Sequence, residues 1–248
     1  MTLKEFFESA GGPVALGFSG GVDSCFLLWA GKHYGADIRP YFVKTAFQPQ
    51  FELEDARGIA DFVGIRLNVI ELDNLACRDI RANGPDRCYF CKRAIFGALE
   101  KKAKEDGCVM ITDGTNASDD LSDRPGVRAL RELEVRSPLY ECGITKDEIR
   151  RMSKEAGLFT WDKPAYACLA TRVETGVEIS ADILKRIEGA EEELKKLGFW
   201  DLRVRVRSGM ACLQLKSDQF ERAASMADGI KAGLSPYFKK VLLDLDRR

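Results

Sequence analysis

The stretch Phe18-Ser19-Gly20-Gly21-Val22-Asp23-Ser24 decides the fold, because it joins a short apolar run to a helical pattern. Val14–Phe18 predicts a buried strand, and the apolar spacing through Asp23–Tyr34 predicts a helix. The two adjacent glycines allow positive φ and a close approach of the backbone to a ligand. A strand, a glycine turn and a helix in this order predict an anion-binding loop at the helix N-terminus.

The residue types of this loop predict a phosphate site that contains a metal ion. Ser19, Gly20, Gly21 and Ser24 offer hydroxyl and amide donors to a phosphate. The loop is not a Walker A motif, because the Gly-Lys-Ser/Thr ending is missing. Asp23 is acidic, so it fits a phosphate site only if a cation such as Mg²⁺ lies between the two groups. The alternative is an ordinary helix start, which leaves the glycine pair unexplained.

Strands and helices alternate outward from this loop. The pattern continues with strands at Ile38–Val43, Arg66–Ile70 and Val109–Asp113 and helices at Glu52–Val63 and Cys91–Lys104. Continuous apolar strands that alternate with helices predict an α/β fold, a parallel sheet with helices on both faces. Asp113 and Asn116 then lie at the carboxyl edge of the sheet, where we expect them to contact adenosine or a metal ion.

A second, smaller α/β domain is predicted at the C-terminal end. Thr145–Ala156 reads as a helix with a Thr145/Glu148 capping box, and Trp161–Arg172 reads mostly as loop. We therefore predict domains at 1–172 and 173–248. The elements expected in the second are helices Ala181–Leu197 and Gln219–Ala232 and strands Leu202–Arg207, Ala211–Leu215 and Lys239–Leu245.

Composition excludes several classes of protein. The 248 residues carry 38 Lys and Arg against 39 Asp and Glu, a net charge of -1, which argues against a nucleic-acid binder. No apolar stretch approaches the roughly 20 residues of a membrane helix. Met1–Gly12 lacks a secretory pattern, so we expect a cytoplasmic protein with no membrane partner.

Three of the eight cysteines stand apart from the rest. Cys88 and Cys91 form a CxxC, which serves as a redox couple, half of a zinc site or part of an iron–sulfur site. Cys168 lies in a loop between Lys163 and Arg172, and nearby cations favour a thiolate. The alternative for the same three residues is persulfide chemistry, in which one thiol carries sulfur and another resolves the resulting link. The others are expected to pack as small apolar residues: Cys25, Cys77, Cys108, Cys142 and Cys212.

Charged residues in the C-terminal part form two patterns. One pattern is the alternation of arginine and valine through Arg203, Arg205 and Arg207, which places the three arginines on one strand face. Three guanidinium groups on one face predict an anion site there. The alternative is an edge strand whose cations prevent pairing with another chain. Glu191–Glu193 predicts a solvated helix face. The single histidine, His33, is expected at a helix end, so no histidine acid–base chemistry is predicted.

The glycine loop resembles the PP-loop of the N-type ATP pyrophosphatases. This resemblance implies attack on the α-phosphate of ATP, release of pyrophosphate and transfer of AMP to the substrate. The superfamily includes amide-forming synthetases and tRNA thiolases, so the loop alone fixes the activation step and not the product.

Segments along nearly the whole chain together resemble the LarE family, ATP-dependent sulfur transferases of nickel-pincer nucleotide (lactate racemase cofactor) synthesis. Besides the PP-loop they are Arg87-Cys88-Tyr89-Phe90-Cys91-Lys92, Asp113-Gly114-Thr115-Asn116, Asp123-Arg124-Pro125-Gly126, Ser137-Pro138-Leu139, Trp161-Asp162-Lys163-Pro164 and Cys168-Leu169-Ala170-Thr171-Arg172. The implied substrate is pyridinium-3,5-biscarboxylic acid mononucleotide. ATP adenylates a ring carboxylate, and sulfur then displaces AMP to give a thiocarboxylate.

The resemblance also implies cofactors and roles. Cys88, Cys91 and Cys168 match the family branch that holds a [4Fe-4S] cluster, which takes sulfur from an exogenous sulfide source. Arg205-Val206-Arg207 is expected to bind the substrate phosphate, and Arg172 to stabilise negative charge that develops beside Cys168. ATP, Mg²⁺ and a homo-oligomer complete the expectation. One departure is that Ser208-Gly209 and Gln214 stand where the family has His-Gly and Glu.

The sequence leaves three other functions open. An amide-forming synthetase would use ammonia and need no cysteine set. A tRNA thiolase would need an RNA-binding module, which near-neutral charge disfavours. An iron–sulfur sensor that kept a nucleotide loop would not release pyrophosphate with any carboxylate nucleotide.

Overall fold

A computed structural model describes residues 1–122 and 125–245 of the chain. Two compact units divide them: Met1–Asn74 with Asp86–Tyr166, and Leu75–Pro85 with the chain from Ala167 onward. Asp123 and Arg124, which the sequence analysis singled out, lie outside the described residues. Within the described part, no helix is long and apolar enough to span a lipid bilayer.

The first unit is built on a four-stranded parallel sheet. Its strands are β1 (Val14–Gly17), β2 (Ile38–Lys44), β3 (Asn68–Glu71) and β4 (Met110–Thr112), in the spatial order β3-β2-β1-β4. Its helices are α1 (Leu3–Glu8), α2 (Val22–His33), α3 (Gln50–Val63), α5 (Arg87–Glu105), α6 (Pro125–Glu132), α7 (Pro138–Glu141) and α8 (Lys146–Glu155).

Side chains alternate between the two faces of this sheet. On β1, Leu16 packs into one core with α2, α3 and α8, whereas Ala15 packs into a second core with Phe96 and Leu99 of α5. Because helices cover both faces at the centre of the sheet, β1 is apolar along its whole length, whereas β2 and β3 also carry polar residues. The predicted α/β fold with helices on both faces is confirmed.

Strand order determines where a ligand can bind. The chain leaves β1 through α2 to reach β2 on one side, while β4 pairs with β1 on the other. The order therefore reverses at β1, and open α/β sheets bind ligands in the crevice at the carboxyl ends of such strands. The glycine loop follows β1 at this edge.

The second unit carries a three-stranded sheet. Its strands are β5 (Arg203–Arg207), β6 (Met210–Gln214) and β7 (Val241–Leu243), and its helices are α4 (Arg78–Arg81), α9 (Ala181–Lys196), α10 (Phe220–Ser225) and α11 (Ala227–Leu234). β6 pairs antiparallel with β5 and parallel with β7. The helix predicted over Gln219–Ala232 was wrong as a single element, because the backbone leaves the helical region at Met226 (φ -100°, ψ 15°).

The segment Leu75–Pro85 belongs to the second unit because its hydrogen bonds run to residues 174–179. The buried side chain of Asn83 donates to the carbonyl oxygens of Glu174 and Val177 at 2.8 and 3.0 Å. The amide of Ile179 donates to the carbonyl of Arg81 at 2.8 Å. A single domain boundary at residue 172 does not account for these hydrogen bonds. The assignment of ATP binding to residues 1–172 and of substrate-phosphate binding to residues 173–248 stays a prediction.

Candidate functional site

The glycine loop makes a tight turn against α3. Gly20 has a positive φ of +70°, which L side chains rarely adopt. A Cβ atom at this position would lie 3.0 Å from the carbonyl oxygen of Glu52 and 3.1 Å from the amide nitrogen of Ala56. Both neighbours are backbone atoms of α3, so only glycine fits here.

Hydrogen bonds of two serine side chains stabilise the glycine loop. The hydroxyls of Ser19 and Ser24 lie 3.1 Å apart, and the amide of Gly21 donates to the Ser19 hydroxyl at 3.3 Å. The Ser24 hydroxyl donates to the carbonyl of Gly21 at 3.2 Å. Gly21 is the N-cap of α2 and has no side chain with which to cap it. The amides and dipole of the helix N-terminus thus face the loop, which suits an anion.

Asp23 is paired with a lysine that sequence reasoning missed. Lys146 Nζ lies 2.8 and 2.7 Å from the two carboxylate oxygens of Asp23, and both side chains are half-buried. Burial raises the pKa of the Asp23 carboxyl, and the ammonium of Lys146 opposes that rise. The predicted capping box of α8 is confirmed, since Thr145 and Glu148 form it. Nothing in the local pattern pointed from that box to Asp23.

A second lysine contacts the other end of the loop. Lys163 Nζ donates to Asp55 Oδ2 at 2.6 Å and to the carbonyl of Gly20 at 3.2 Å. In the sequence, Lys163 stands out as a cation near Cys168 and as part of the segment Trp161-Asp162-Lys163-Pro164. In the structure it lies on the first unit, beside the glycine loop. Two ammonium groups therefore flank a loop whose own N–H groups already favour negative charge.

Asp113 is buried and holds the loop after β4. Its carboxylate accepts hydrogen bonds from the Thr115 amide at 3.1 Å, the Thr115 hydroxyl at 2.6 Å and the Ser137 hydroxyl at 2.7 Å. These contacts fix the backbone around Gly114, where a Cβ atom would lie 3.0 Å from the amide nitrogen of Ser24. The Asp113 loop thus packs directly against the glycine loop.

Asn116 organises the following turn in the same way. Its side-chain oxygen accepts a hydrogen bond from the backbone amide of Ser118 at 2.9 Å, and its own backbone amide donates to Asp119 Oδ2 at 2.9 Å. The structure brings Asp113 and Asn116 to the sheet edge that the sequence predicted. Their direct contact with adenosine or a metal ion stays a prediction.

Both cysteines of the CxxC lie in the first turns of α5, which begins four residues earlier than predicted. Cys88 is exposed and Cys91 is buried. Arg87 Nη2 lies 3.5 Å from Cys88 Sγ. The spacing puts both cysteines on one side of the helix, near its positive end.

Cys168 belongs to the second unit, where it precedes a short 3-10 helix, Leu169–Arg172. Across residues 1–122 and 125–245, no three His, Cys, Asp or Glu side chains form a group that could hold a metal ion. Joint ligation by Cys88, Cys91 and Cys168 therefore stays a prediction.

Arg172 lies beneath the Cys168 loop in a buried ion pair. Its Nη1 donates to the carbonyl of Ala167 at 2.6 Å, and its Nε donates to Glu191 Oε1 at 2.9 Å. The Arg172 side chain is 0% exposed and that of Glu191 2%. The prediction that Glu191 lies on a solvated helix face was wrong, because it neutralises Arg172 and also accepts from the Val204 amide at 3.0 Å. This geometry favours a positioning role for Arg172.

The arginines of β5 join a polar network. Arg205 Nε donates to Gln214 Oε1 at 2.6 Å, and Arg205 Nη1 donates to the carbonyl of Thr171 at 2.8 Å. Gln214 Nε2 donates to Asp244 Oδ2 at 2.9 Å, and Arg207 Nη2 lies 3.8 Å from the same oxygen. Gln214 stands where the LarE family has a glutamate, and in this chain Asp244 provides a carboxylate in the same network.

The remaining cysteines differ in exposure. Cys25 and Cys212 are buried as predicted, and burial raises the pKa of the Cys25 thiol to about 12. Cys108 and Cys142 are partly buried. Cys77 is exposed, so the prediction that it packs in a core was wrong.

Two uncharacterized proteins are similar to this chain over nearly its whole length. The chain is 36% identical over 98% of its length to an uncharacterized protein of Synechocystis, slr1717, and covers 92% of that protein. It is 32% identical to MJ0830, an uncharacterized protein of Methanocaldococcus jannaschii, over 98% of this chain and 93% of the relative. No protein-family model matches the chain.

A relative with a known product decides the identification. The pyridinium-3,5-bisthiocarboxylic acid mononucleotide synthase of Lactiplantibacillus plantarum is 29% identical over 94% of this chain and 85% of its own length. The chain belongs to the LarE family. It is accordingly an ATP-dependent sulfurtransferase with a PP-loop.

More distant matches place the LarE chain within the PP-loop superfamily. A tRNA-specific 2-thiouridylase of Pseudothermotoga lettingae is 31% identical over 58% of this chain and 52% of its own length. An argininosuccinate synthase of Haloarcula marismortui is 28% identical over 59% of this chain and 38% of its own length. These partial matches support a shared ATP-binding unit, whereas the LarE relative matches nearly the whole chain.

Proposed function

We propose that the protein adenylates the carboxylates of pyridinium-3,5-biscarboxylic acid mononucleotide and replaces AMP with sulfur, to make thiocarboxylates for nickel-pincer cofactor synthesis. The observation that carries this proposal is a glycine loop flanked by Lys146 and Lys163, in a chain that matches the L. plantarum synthase over 94% of its length. The loop supports ATP activation, and the relative's product supports the acceptor.

The first step forms an acyl-adenylate. A substrate carboxylate oxygen attacks the α-phosphorus of ATP, the bond from that phosphorus to the bridging oxygen breaks, and pyrophosphate leaves. Amides at the start of α2 and the ammonium of Lys163 oppose the charge that grows on pyrophosphate. A carboxylate is already a nucleophile, so the step needs positioning and charge neutralisation more than a general base.

Asp23 and Ser24 are the residues we propose to hold Mg²⁺ and the phosphates. A carboxylate with phosphate oxygens is the usual ligand set for this ion, which would neutralise phosphate charge here. Asp23 lies on the first turn of α2, next to the loop, so its position fits that set.

The second step delivers sulfur to the activated acyl group. A sulfur nucleophile attacks the acyl carbon, the bond from that carbon to the AMP oxygen breaks, and AMP leaves with its electron pair. A thiocarboxylate remains. The proposed sulfur source is exogenous sulfide, so no cysteine is consumed.

Cys88, Cys91 and Cys168 are the residues we propose to hold a [4Fe-4S] cluster. The chemistry of the donor set fits, because two thiols lie on the first turns of one helix and a third lies in a loop fixed by Arg172. When bound, such a cluster would hold exogenous sulfide for the transfer.

Arg205 and Arg207 are the residues we propose for the substrate phosphate. Guanidinium groups bind phosphate through paired N–H donors. Gln214 and Asp244 orient the two arginines, and Arg207 is half exposed and accessible to a ligand. We also propose that the protein forms a homo-oligomer.

The cysteine assignment is tested by separating the two steps. Serine at position 88, 91 or 168 is expected to lower thiocarboxylate formation at least about a hundredfold, while substrate-dependent pyrophosphate release continues. The measurement is anaerobic turnover with ATP, Mg²⁺, substrate and sulfide, with iron and sulfide analysis of each purified variant. Cys77→Ser is the matched control, since Cys77 is an exposed cysteine outside the proposed set.

The outcomes separate the cluster from other sulfur chemistry. Iron in the wild type and in Cys77→Ser, lost in the three variants, supports the cluster. An iron-free wild type that still transfers sulfur overturns the cluster and favours persulfide chemistry. Full sulfur transfer by Cys168→Ser overturns a cluster held by all three cysteines as the source of the sulfur.

A further inference from the structure

Asp23 is already paired with a cation, so a metal ion that binds the Asp23 carboxylate has to displace that partner. Lys146 Nζ lies within hydrogen-bond distance of both Asp23 oxygens, at 2.8 and 2.7 Å. Mg²⁺ needs carboxylate oxygens at about 2.0–2.1 Å. An ammonium that covers both oxygens competes with it directly, so one of the two cations has to leave.

The main chain of Lys146 is anchored, which makes its side chain the part that can move. Lys146 is the first residue of α8, and the Thr145/Glu148 capping box fixes that helix end. The Lys146 amide donates to the Ser118 hydroxyl at 2.9 Å. The side chain itself is 30% exposed on a flexible four-carbon stem, so the ammonium can change partners while α8 stays in place.

Lys163 differs from Lys146 in its partners. It pairs with Asp55 and contacts the carbonyl of Gly20, and neither group is a candidate metal ligand. Lys163 therefore keeps its partners when a cation binds Asp23. Lys146 alone of these two lysines loses its partner at that moment.

We propose that Lys146 exchanges partners: it neutralises Asp23 in the ligand-free protein and binds the pyrophosphate portion of ATP once a divalent cation occupies Asp23. This inference rests on the proposed ATP activation and adds a residue to it. The exchange keeps Asp23 neutralised in both states. It also delivers a second ammonium to the leaving group while the bond to the α-phosphorus breaks.

The exchange predicts effects of opposite sign on two kinds of ligand. In Lys146→Gln, Mn²⁺ alone is expected to bind roughly tenfold more tightly than in the wild type, because the competing cation is gone. Inorganic pyrophosphate with Mg²⁺ is expected to bind roughly tenfold more weakly, because an ammonium partner is lost. Electron paramagnetic resonance measures the first, and isothermal titration calorimetry the second.

Two further variants make the test specific. Lys146→Arg keeps the charge and is expected to restore pyrophosphate binding to within about threefold of the wild type. Arg151→Gln removes a cation from the same helix in an exposed pair with Glu155 and is expected to change neither affinity. Thermal melting of each variant verifies that it folds.

The outcomes that contradict the exchange are distinct from failure of the proposed function. If Lys146→Gln weakens the binding of both Mn²⁺ and pyrophosphate, Lys146 only holds the Asp23 carboxylate in position, and the proposed exchange is wrong. Unchanged pyrophosphate binding also overturns it. Neither measurement includes the carboxylate substrate or sulfur, so a protein that fails to transfer sulfur still gives a readable result.

Discussion

Replacing Gly20 with alanine is expected to lower ATP-dependent pyrophosphate release at least about a hundredfold. The new Cβ would lie 3.0 Å from Glu52 O and 3.1 Å from Ala56 N, atoms of the α3 backbone that cannot turn aside. Alanine also pays about 1–2 kcal/mol for the left-handed backbone at φ +70°. The loop has to shift, and its amides then miss the phosphates. A pyrophosphate-release assay with the wild type and the variant measures the effect.

Gly35→Ala is the matched control for this prediction. Gly35 has a similar φ of +78°, but a Cβ there meets no atom within 4 Å. This variant therefore carries the backbone strain without the contact with α3, and it is expected to keep its pyrophosphate release. Equal losses in both variants would show that strain alone, and not the fit of the loop against α3, explains the effect.

Replacing Glu191 with alanine is expected to lower the free energy of unfolding by about 3–5 kcal/mol. The change leaves the guanidinium of Arg172, a side chain with 0% exposure, as a buried charge without its carboxylate. It also removes the acceptor of the Val204 amide. Urea unfolding followed by tryptophan fluorescence measures the loss, since Trp200 lies in the second unit.

Glu192→Ala provides the control, because Glu192 is an exposed neighbour on the same helix. It is expected to change the free energy of unfolding by less than about 0.5 kcal/mol. Hydrogen exchange adds a local readout: amides of residues 167–173 are expected to exchange faster in Glu191→Ala only. Equal stability of the two variants contradicts a buried ion pair under the Cys168 loop.

A double replacement distinguishes the pair's own contribution from the cost of breaking it. Arg172→Met with Glu191→Leu removes both charges and keeps apolar volume, so it is expected to recover much of the stability lost in Glu191→Ala. Sulfur transfer by this double variant is expected to be lower than in the wild type, because the Ala167 carbonyl loses the guanidinium that orients the Cys168 loop. Recovered stability with full sulfur transfer would remove the positioning role.

Local patterns were sufficient to predict the sheet and the loop. Apolar runs and helical spacing identify β1 and α2, and the glycine pair between them identifies the turn, because each signal lies within a few adjacent residues. The Thr145/Glu148 capping box is equally local and is confirmed. The single helix predicted over Gln219–Ala232 was wrong, since helical spacing does not show a break such as that at Met226.

Pairings between distant charged residues could not be predicted in this way. Lys146 and Asp23 are 123 positions apart, and Lys146 looks like an ordinary polar residue on its own helix. Glu191 belongs to a run of three glutamates, and only packing against Arg172 distinguishes it from its neighbours. Asp244 likewise becomes recognisable only when β6 carries Gln214 beside it. Such pairings depend on tertiary packing and have no periodic signature.

The most direct test of the central claim follows the oxygen of the substrate carboxylate. The substrate is prepared with heavy oxygen in its carboxylates and turned over with ATP, Mg²⁺ and sulfide under anaerobic conditions. Activation through an acyl-adenylate predicts that AMP leaves with one heavy oxygen for each thiocarboxylate formed, as measured by mass spectrometry. Unlabelled AMP, or ADP with phosphate as the nucleotide products, would contradict this account.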